Sequence, residues 1–256
     1  MLLLLKVALP MALVAIISLA SRWFGPTIGG LLMGLPWMTG PLLIFLALDK
    51  GEAFAADACA GIELGIICVA VFMLVYGAVS TLARWPMSVI AGGAAFAGSA
   101  LAIKDAALTL PQAAAAASVS LLVTYLLLPR PHGPAGTATL PWWDIPARML
   151  STFTLVAAIL ISADFLGPRL SGIVSTYPVV TTVICAFTHH QWGRDAVRRI
   201  LRALALSLLA FMAFFLIVGL SMPAVGLAAS FTIATVAVLL IQGLFLALMQ
   251  GSARAS

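Results

Sequence analysis

The chain carries one backbone pattern twice, as GPTIGGLLMGLPWMTG at residues 25–40 and as GPRLSGIVSTYPVVTT at residues 167–182. Aligned without gaps, the two stretches share five of sixteen residues: Gly25/Gly167, Pro26/Pro168, Gly30/Gly172, Pro36/Pro178 and Thr39/Thr181. Four of these pairs are glycine or proline, the residue types that most strongly determine backbone shape. The pattern therefore predicts the same local structure in both stretches, with a break in the helix at each inner proline.

The residues around both stretches are strongly apolar. The chain is 63% hydrophobic and 8% charged, with a mean hydropathy of +1.18, whereas roughly 25% of residues are charged in a typical soluble domain. Apolar runs of about 20 residues, each long enough to cross a hydrocarbon core of about 30 Å, follow one another with short polar breaks. These features exclude a water-soluble protein and predict an all-α polytopic membrane protein.

Nine crossings can be placed on these runs, or ten if the long last run divides. They cover residues 3–22, 27–48, 55–82, 85–103, 107–129, 143–165, 168–190, 196–220 and 223–249. The proline-rich stretch PRPHGPAGTATLP at residues 129–141 predicts an extended loop. Trp142 and Trp143 follow it at a position typical of membrane-interface anchors.

The offset of 142 residues between the two stretches extends beyond them, because Gly51 aligns with Gly193. We interpret this as an internal duplication of a four-helix unit, with repeat 1 at residues 1–104 and repeat 2 at residues 142–256. Residues 105–141 contain an unpaired linker helix and the proline-rich loop. An even number of helices followed by one extra crossing predicts that the second repeat is inverted in the membrane, and that helices two and seven are the proline-broken ones.

Charge patterning also favours inversion. Three aligned pairs have opposite sign: Arg22/Asp164, Glu52/Arg194 and Asp57/Arg199. Nine of the 13 basic residues fall on one face of the predicted topology and four on the other. Because basic loops are retained in the cytoplasm, the N-terminus is predicted outside and the C-terminus in the cytoplasm.

A binding site is predicted where the two broken helices cross. Each inner proline lies ten residues after the proline that opens its stretch, which is about 15 Å of helical rise and therefore mid-bilayer. Paired broken helices in inverted repeats are typical of secondary transporters, whose solutes bind at the freed backbone groups. The predicted site contains Pro36, Trp37, Met38, Thr39, Thr176, Tyr177, Pro178, Thr181 and Thr182. The alternative is that these prolines and hydroxyl groups only kink their helices and bond to their own carbonyls.

Glu63 is the outstanding ionisable residue of the apolar runs, since no basic residue lies beside it. A charged group near the bilayer centre costs on the order of 3 kcal/mol, so Glu63 is predicted to face the protein interior and to act in proton coupling. The alternative is an acid that reaches water at the outer surface, which nearby Asp57 makes plausible.

Other polar residues carry weaker signals. Gln112 and Gln242 are predicted to bond across helices or to touch a solute. Cys185 and His189 have a formal metal-ligand spacing with His190 beside them, but two or three ligands at a membrane edge do not define a metal site. We predict no metal, no cofactor and no nucleic-acid partner, and no catalytic motif indicates an enzyme.

The segment SGIVSTYPVVTTVICAFTHHQWGRDAVRR at residues 171–199 resembles the small GlpM-type bacterial inner-membrane proteins. The likeness rests on Gly172, Tyr177, Pro178, Gly193 and the pair Ala196–Val197, and more weakly on Gly30, Pro36 and Gly51 in the first repeat. The resemblance implies a multi-pass protein of the bacterial inner membrane and an association with exopolysaccharide production. It supplies no catalytic residues, and this chain would be a fused pair of such units.

These observations favour a small secondary transporter or exporter of a small solute, with an anion and proton coupling as options. Two alternatives stay open: a non-transporting accessory protein of cell-envelope or exopolysaccharide assembly, and a passive ion channel. The expected partners are the lipid bilayer and a small-molecule solute, and a homodimer is also compatible with the sequence.

Overall fold

The computed structural model describes residues 2–133, 141–175 and 177–254, without the side chains of residues 2–7, 160, 162–175 and 248–254. Every regular element within these ranges is an α-helix. The helices are α1 (Leu2–Phe24), α2 (Pro26–Met33), α3 (Thr39–Lys50), α4 (Glu52–Val79), α5 (Trp85–Ile103), α6 (Leu110–Leu127), α7 (Asp144–Ser175) and α8 (Val179–Arg254). The predicted all-α class is confirmed.

Glycines in a left-handed conformation separate several of these helices. Gly25 (φ 88°) lies between α1 and α2, and Gly51 (φ 93°) lies between α3 and α4. Gly193 (φ 81°) and Gly226 (φ 78°) interrupt α8, dividing it into α8a (179–192), α8b (194–225) and α8c (227–254). Side chains make this conformation unfavourable, so glycine is required at these four positions.

Four helical stretches in the described part of the chain are long and apolar enough to cross a membrane. They are Glu52–Val79, Trp85–Ile103, Leu110–Leu127 and Val179–Ala247, and the last contains both breaks of α8. The shorter stretch Ala8–Phe24 is also apolar. The chain therefore has the character of a multi-pass membrane protein, while the total of nine crossings stays a prediction.

One predicted boundary is wrong. The sequence places the sixth and seventh crossings on either side of residues 166–167, but α7 runs through this point as one helix from Asp144 to Ser175. A proline within a helix removes one hydrogen bond and can bend the helix instead of ending it. Pro168 is therefore not a reliable boundary signal.

Helices α4 and α8b pack against each other in antiparallel directions. A Cβ atom at Gly77, late in α4, would lie 3.5 Å from Leu201 Cδ1, early in α8b. A Cβ atom at Gly219, late in α8b, would lie 3.0 Å from Cys59 Cβ, early in α4. Gly219 aligns with Gly77, and Leu201 aligns with Cys59. The offset of 142 residues therefore converts one of these contacts into the other.

Helix α6 lies along this helix pair. Leu128, just after its end, packs on Gly77, and Leu110, at its start, packs on Gly219. The Thr124 hydroxyl donates a hydrogen bond to the Ala70 carbonyl (3.3 Å), which attaches α6 to the middle of α4. The linker helix thus contacts equivalent positions of the two predicted repeats with its opposite ends.

Helix α2 packs on α8b through its glycines. A Cβ atom on Gly30 would lie 2.8 Å from Ala203 Cβ, and one on Gly34 would lie 2.5 Å from Ser207 Cβ. These separations leave no room for a larger side chain. The spacing Gly30-x-x-x-Gly34 is therefore a helix-packing face that holds the first proline break against α8b.

Candidate substrate site

Each inner proline lies between two helices, at a position where a helix break is predicted. Helix α2 ends at Met33 and α3 begins at Thr39, with Pro36 between them. Helix α7 ends at Ser175 and α8a begins at Val179, directly after Pro178. Thr176, one of the predicted site residues, lies outside the described residues.

The two breaks have the same backbone hydrogen bonds around their prolines. In each break, one N–H group bonds across the proline and a second N–H group binds the proline carbonyl. The bonds are Trp37 N to Leu35 O (2.8 Å) and Gly40 N to Pro36 O (3.0 Å) in the first break, and Val179 N to Tyr177 O (2.8 Å) and Thr182 N to Pro178 O (2.9 Å) in the second. The residues that make corresponding bonds in the two breaks are 142 positions apart in every case. Both prolines thus form a tight turn that starts a new helix.

A carbonyl at the end of α2 bonds to a neighbouring helix. The Ser207 hydroxyl of α8b donates to the Leu31 carbonyl (2.5 Å), which the break removes from the regular helical pattern. The Gln242 side chain of α8c donates to Ser207 Oγ, while Gln242 Oε1 is buried without a partner in the described part of the chain. The predicted cross-helix bond of Gln242 is confirmed, and it leaves one free acceptor beside the first break.

The side chains of the first break lie mainly at the protein surface. Trp37 is 47% exposed and Met38 is 43% exposed, and the Trp37 indole N–H donates to the Leu32 carbonyl (2.9 Å). Pro36 and Thr39 are half-buried. In this conformation the first break exposes an indole and a thioether, whereas the Leu31 carbonyl at the end of α2 binds Ser207 of α8b.

The second break is more enclosed. The Thr182 hydroxyl lies 3.0 Å from Tyr177 Oη and 2.9 Å from the Pro178 carbonyl. The Tyr177 ring packs edge-on against Phe72 and Phe96. Thr181 and Thr182 are both buried. A hydroxyl pair is thus held within an aromatic environment, with Thr182 bonded to its own helix as the alternative interpretation anticipated.

In the described contacts, the two breaks pack against different helices. Ser207 of α8b, which also binds Gln242 of α8c, holds the first break, and the rings of α4 and α5 hold the second through Tyr177. Two cavities, of about 290 and 280 Å³, are lined by residues outside both breaks. The predicted proximity of Pro36 and Pro178 therefore stays a prediction.

Glu63 is buried within the helical bundle. Its residue exposure is 0%, and neither carboxylate oxygen has a hydrogen-bond partner in the described part of the chain. It lies eleven residues after the start of α4, about 16 Å along the helix axis. Cys59 and Ile66, one turn to either side, belong to the two apolar clusters of the core. The predicted burial is confirmed, and the alternative of an acid in contact with surface water is wrong for this conformation.

The structure reveals a charged cluster that sequence reasoning missed. Asp144, at the start of α7, accepts hydrogen bonds from Arg22 of α1, from Arg148 (2.9 Å) and from Gln191 of α8a. Arg148 also donates to Gln191 Oε1 (2.7 Å) and stacks on Phe187. Asp144 and Arg148 are buried. This cluster joins α1, α7 and α8a at one end of the bundle.

Other residues with predicted polar roles have local structural ones. Gln112 completes a capping box with Thr109 at the start of α6 and makes no bond to another helix among the described residues. His189 Nδ1 lies 3.5 Å from Tyr76 Oη, whereas the His190 ring packs near Trp85. Cys185 is fully buried. These three side chains therefore serve separate contacts.

Comparisons with protein-family models, with curated proteins and with solved structures each returned no match.

Proposed function

We propose that the protein is a small secondary transporter or exporter that moves a small solute by alternating access at its two broken helices. The observation that carries this proposal is the pair of proline breaks with equivalent hydrogen bonds in the same register. A break inside an apolar helix exposes backbone polar groups, which in lipid is tolerated only where protein or a polar cavity satisfies them. Two such breaks at equivalent positions are typical of solute sites in transporters.

An inverted pair of repeats is part of this proposal. Helices α4 and α8b occupy equivalent positions in the alignment, and they pack antiparallel. Equivalent helices of an inverted repeat run in opposite directions, whereas those of a parallel repeat run in the same direction. The exchanged contacts Gly77/Leu201 and Gly219/Cys59 also support a pseudo-twofold relation between the repeats.

The corners of the bundle support the same relation. Glu52, at the start of α4, accepts a hydrogen bond from the Leu227 N–H group at the start of α8c (3.0 Å). Arg194, which aligns with Glu52, donates to the Thr81 carbonyl between α4 and α5 (2.9 Å). The second long helix of each repeat, α4 or α8b, thus begins with a charged residue that binds a backbone group of the other repeat.

We expect residues 52 and 194 to lie on opposite sides of the membrane. Single-cysteine variants Glu52→Cys and Arg194→Cys, in a background with Cys59, Cys68 and Cys185 replaced, would be labelled in intact cells by a membrane-impermeant maleimide. In the proposed topology the reagent reaches position 52 from outside and position 194 only after permeabilisation. Labelling of both positions from one side would contradict the inversion.

A buried acid provides a route for proton coupling. Glu63 has no counter-ion in the described part of the chain, and in the second repeat Ala205 takes its place. An ionisable residue inside a membrane bundle is costly and is therefore expected to have a functional role. We propose that Glu63 binds a proton in one conformation and releases it when water reaches α4 in the other.

Solute-driven flux in proteoliposomes would test the transport proposal. We expect at least one compound from a panel of small inorganic and organic anions to produce a saturable signal in solid-supported membrane electrophysiology. Protein-free liposomes are the control. A current that persists without a solute gradient and does not saturate would instead indicate a channel. No signal over the whole panel, from protein that is folded and correctly reconstituted, would favour the accessory protein.

A further inference from the structure

We propose that the cavity between the α4–α5 turn and the α8a–α8b break binds a phosphate group. The cavity has a volume of about 290 Å³, which is ample for a phosphate monoester or a lipid headgroup. Its lining residues are Ser80, Thr81, Leu82, Ala83, Arg84, His189, Gly193 and Arg194. It is separate from both proline breaks, and phosphate binding there does not require that the protein transports a solute.

The charge of the lining favours an anion. Arg84 and Arg194 contribute two guanidinium groups, and none of the described lining residues is acidic. The nearest acid along the chain, Asp195, is engaged elsewhere, because its carboxylate pairs with Arg198 (3.0 Å) and faces the His132 N–H group (3.4 Å). The cavity therefore carries a net positive charge, and guanidinium groups match phosphate oxygens in geometry.

The side chains are arranged so that the cationic groups stay available. Arg194 is positioned by a hydrogen bond from one of its terminal nitrogens to the Thr81 carbonyl (2.9 Å), which leaves its other donors for a ligand. His189 Nδ1 lies 3.5 Å from the buried hydroxyl of Tyr76, and this contact orients the imidazole at the cavity wall. Arg84 is exposed and also lines the cavity, so its side chain is accessible to an anion.

Two long helices begin at the cavity. Arg84 is the N-cap of α5, and Gly193 directly precedes α8b. The first N–H groups of a helix lack partners within it and are partly positive, which favours an anion near them. Gly193 has open space where a side chain would stand, so a ligand can approach the backbone closely. These features add to the two guanidinium groups.

Two sources can supply the phosphate group. In the proposed topology Arg84 and Arg194 lie on the cytoplasmic face, where both soluble phosphorylated compounds and anionic lipid headgroups are present. In both cases the oxygens of a phosphate group would bind the two guanidinium groups. Inorganic phosphate and phosphatidic acid are therefore the two probes that distinguish the sources.

The test compares the wild type with Arg84→Gln, using Lys104→Gln as the matched control at the opposite end of α5. Purified protein in detergent would be titrated with inorganic phosphate by calorimetry, and bound phosphatidic acid would be counted by native mass spectrometry. We expect at least one probe to bind the wild type and Lys104→Gln equally, and to bind Arg84→Gln about tenfold more weakly, as expected for the loss of one charged bond. Phosphate binding alone would indicate a soluble ligand, and phosphatidic acid binding alone would indicate a lipid headgroup.

Two results would overturn the proposal. Neither probe binding to the wild type would show that the cavity takes no phosphate group. Equal binding by the wild type and Arg84→Gln would show that the probe is bound elsewhere. Because Arg84 is exposed and lies outside the packed core, a folding defect is not expected, and a thermal melt of each variant checks this.

Discussion

Replacing Glu63 by glutamine is expected to abolish solute uptake driven by a pH gradient, while solute binding is retained. Glutamine keeps the size of the side chain but cannot gain or lose a proton over the pH range of the uptake assay. Because the carboxylate lies in the bundle interior without a hydrogen-bond partner among the described residues, its protonation can respond to whether water reaches α4. The measurement is gradient-driven uptake in proteoliposomes, with solute binding followed by the thermal shift of the detergent-purified protein.

The matched control for this variant is Asp49→Asn, which neutralises an exposed acid at the end of α3. We expect Asp49→Asn to keep gradient-driven uptake at the wild-type rate. Unchanged uptake in Glu63→Gln would exclude Glu63 as the coupling group, even if transport itself were established. A loss of binding together with uptake would instead place Glu63 in the solute site.

The second large effect is expected at the charged cluster, where Asp144→Ala should destabilise the protein by about 3–5 kcal/mol. The substitution removes the acceptor shared by Arg22, Arg148 and Gln191. Arg148 is only 2% exposed, so its charge would be left buried without a carboxylate. We expect a fall in Tm of roughly 10 °C in detergent.

Asp49→Ala is the control for this measurement, because it removes an exposed acid that lies outside the cluster. A surface substitution of this kind is expected to change stability by less than about 0.5 kcal/mol. Equal Tm values for the two variants would contradict a stabilising role for the cluster. The variant Asp144→Asn, which keeps the shape but removes the charge, separates the ion pairs from the loss of packing.

Sequence reasoning succeeded where the signal is local. The composition and the lengths of the apolar runs predict an apolar helical chain, and the breaks at Pro36 and Pro178 were predicted from two prolines that match under the sequence offset. The burial of Glu63 follows from the cost of a charge in lipid. Gly51 and Gly193 were matched by the sequence offset, and both have a positive φ.

It failed where the determinant is a distant partner. Arg22 and Asp144 are 122 residues apart, and nothing in either local sequence indicates that they meet. Ser207 was overlooked because a serine in an apolar helix usually bonds to its own backbone, whereas this one binds the end of α2. Gln112 was assigned to cross-helix bonding although Thr109, three residues earlier, forms a capping box with it.

The breaks at Gly25, Gly51, Gly193 and Gly226 also determine how the bundle can deform. Each helical segment is stiff apart from its inner prolines, such as Pro223 in α8b, and at each glycine a change of a few backbone angles turns one helix relative to the next. Bending a helix elsewhere would require its backbone hydrogen bonds to break in an apolar solvent. Within the described residues, the positive-φ glycines and the turns at Pro36 and Pro178 are therefore the points at which adjacent helices can rotate, and α8a, α8b and α8c form three segments joined at Gly193 and Gly226.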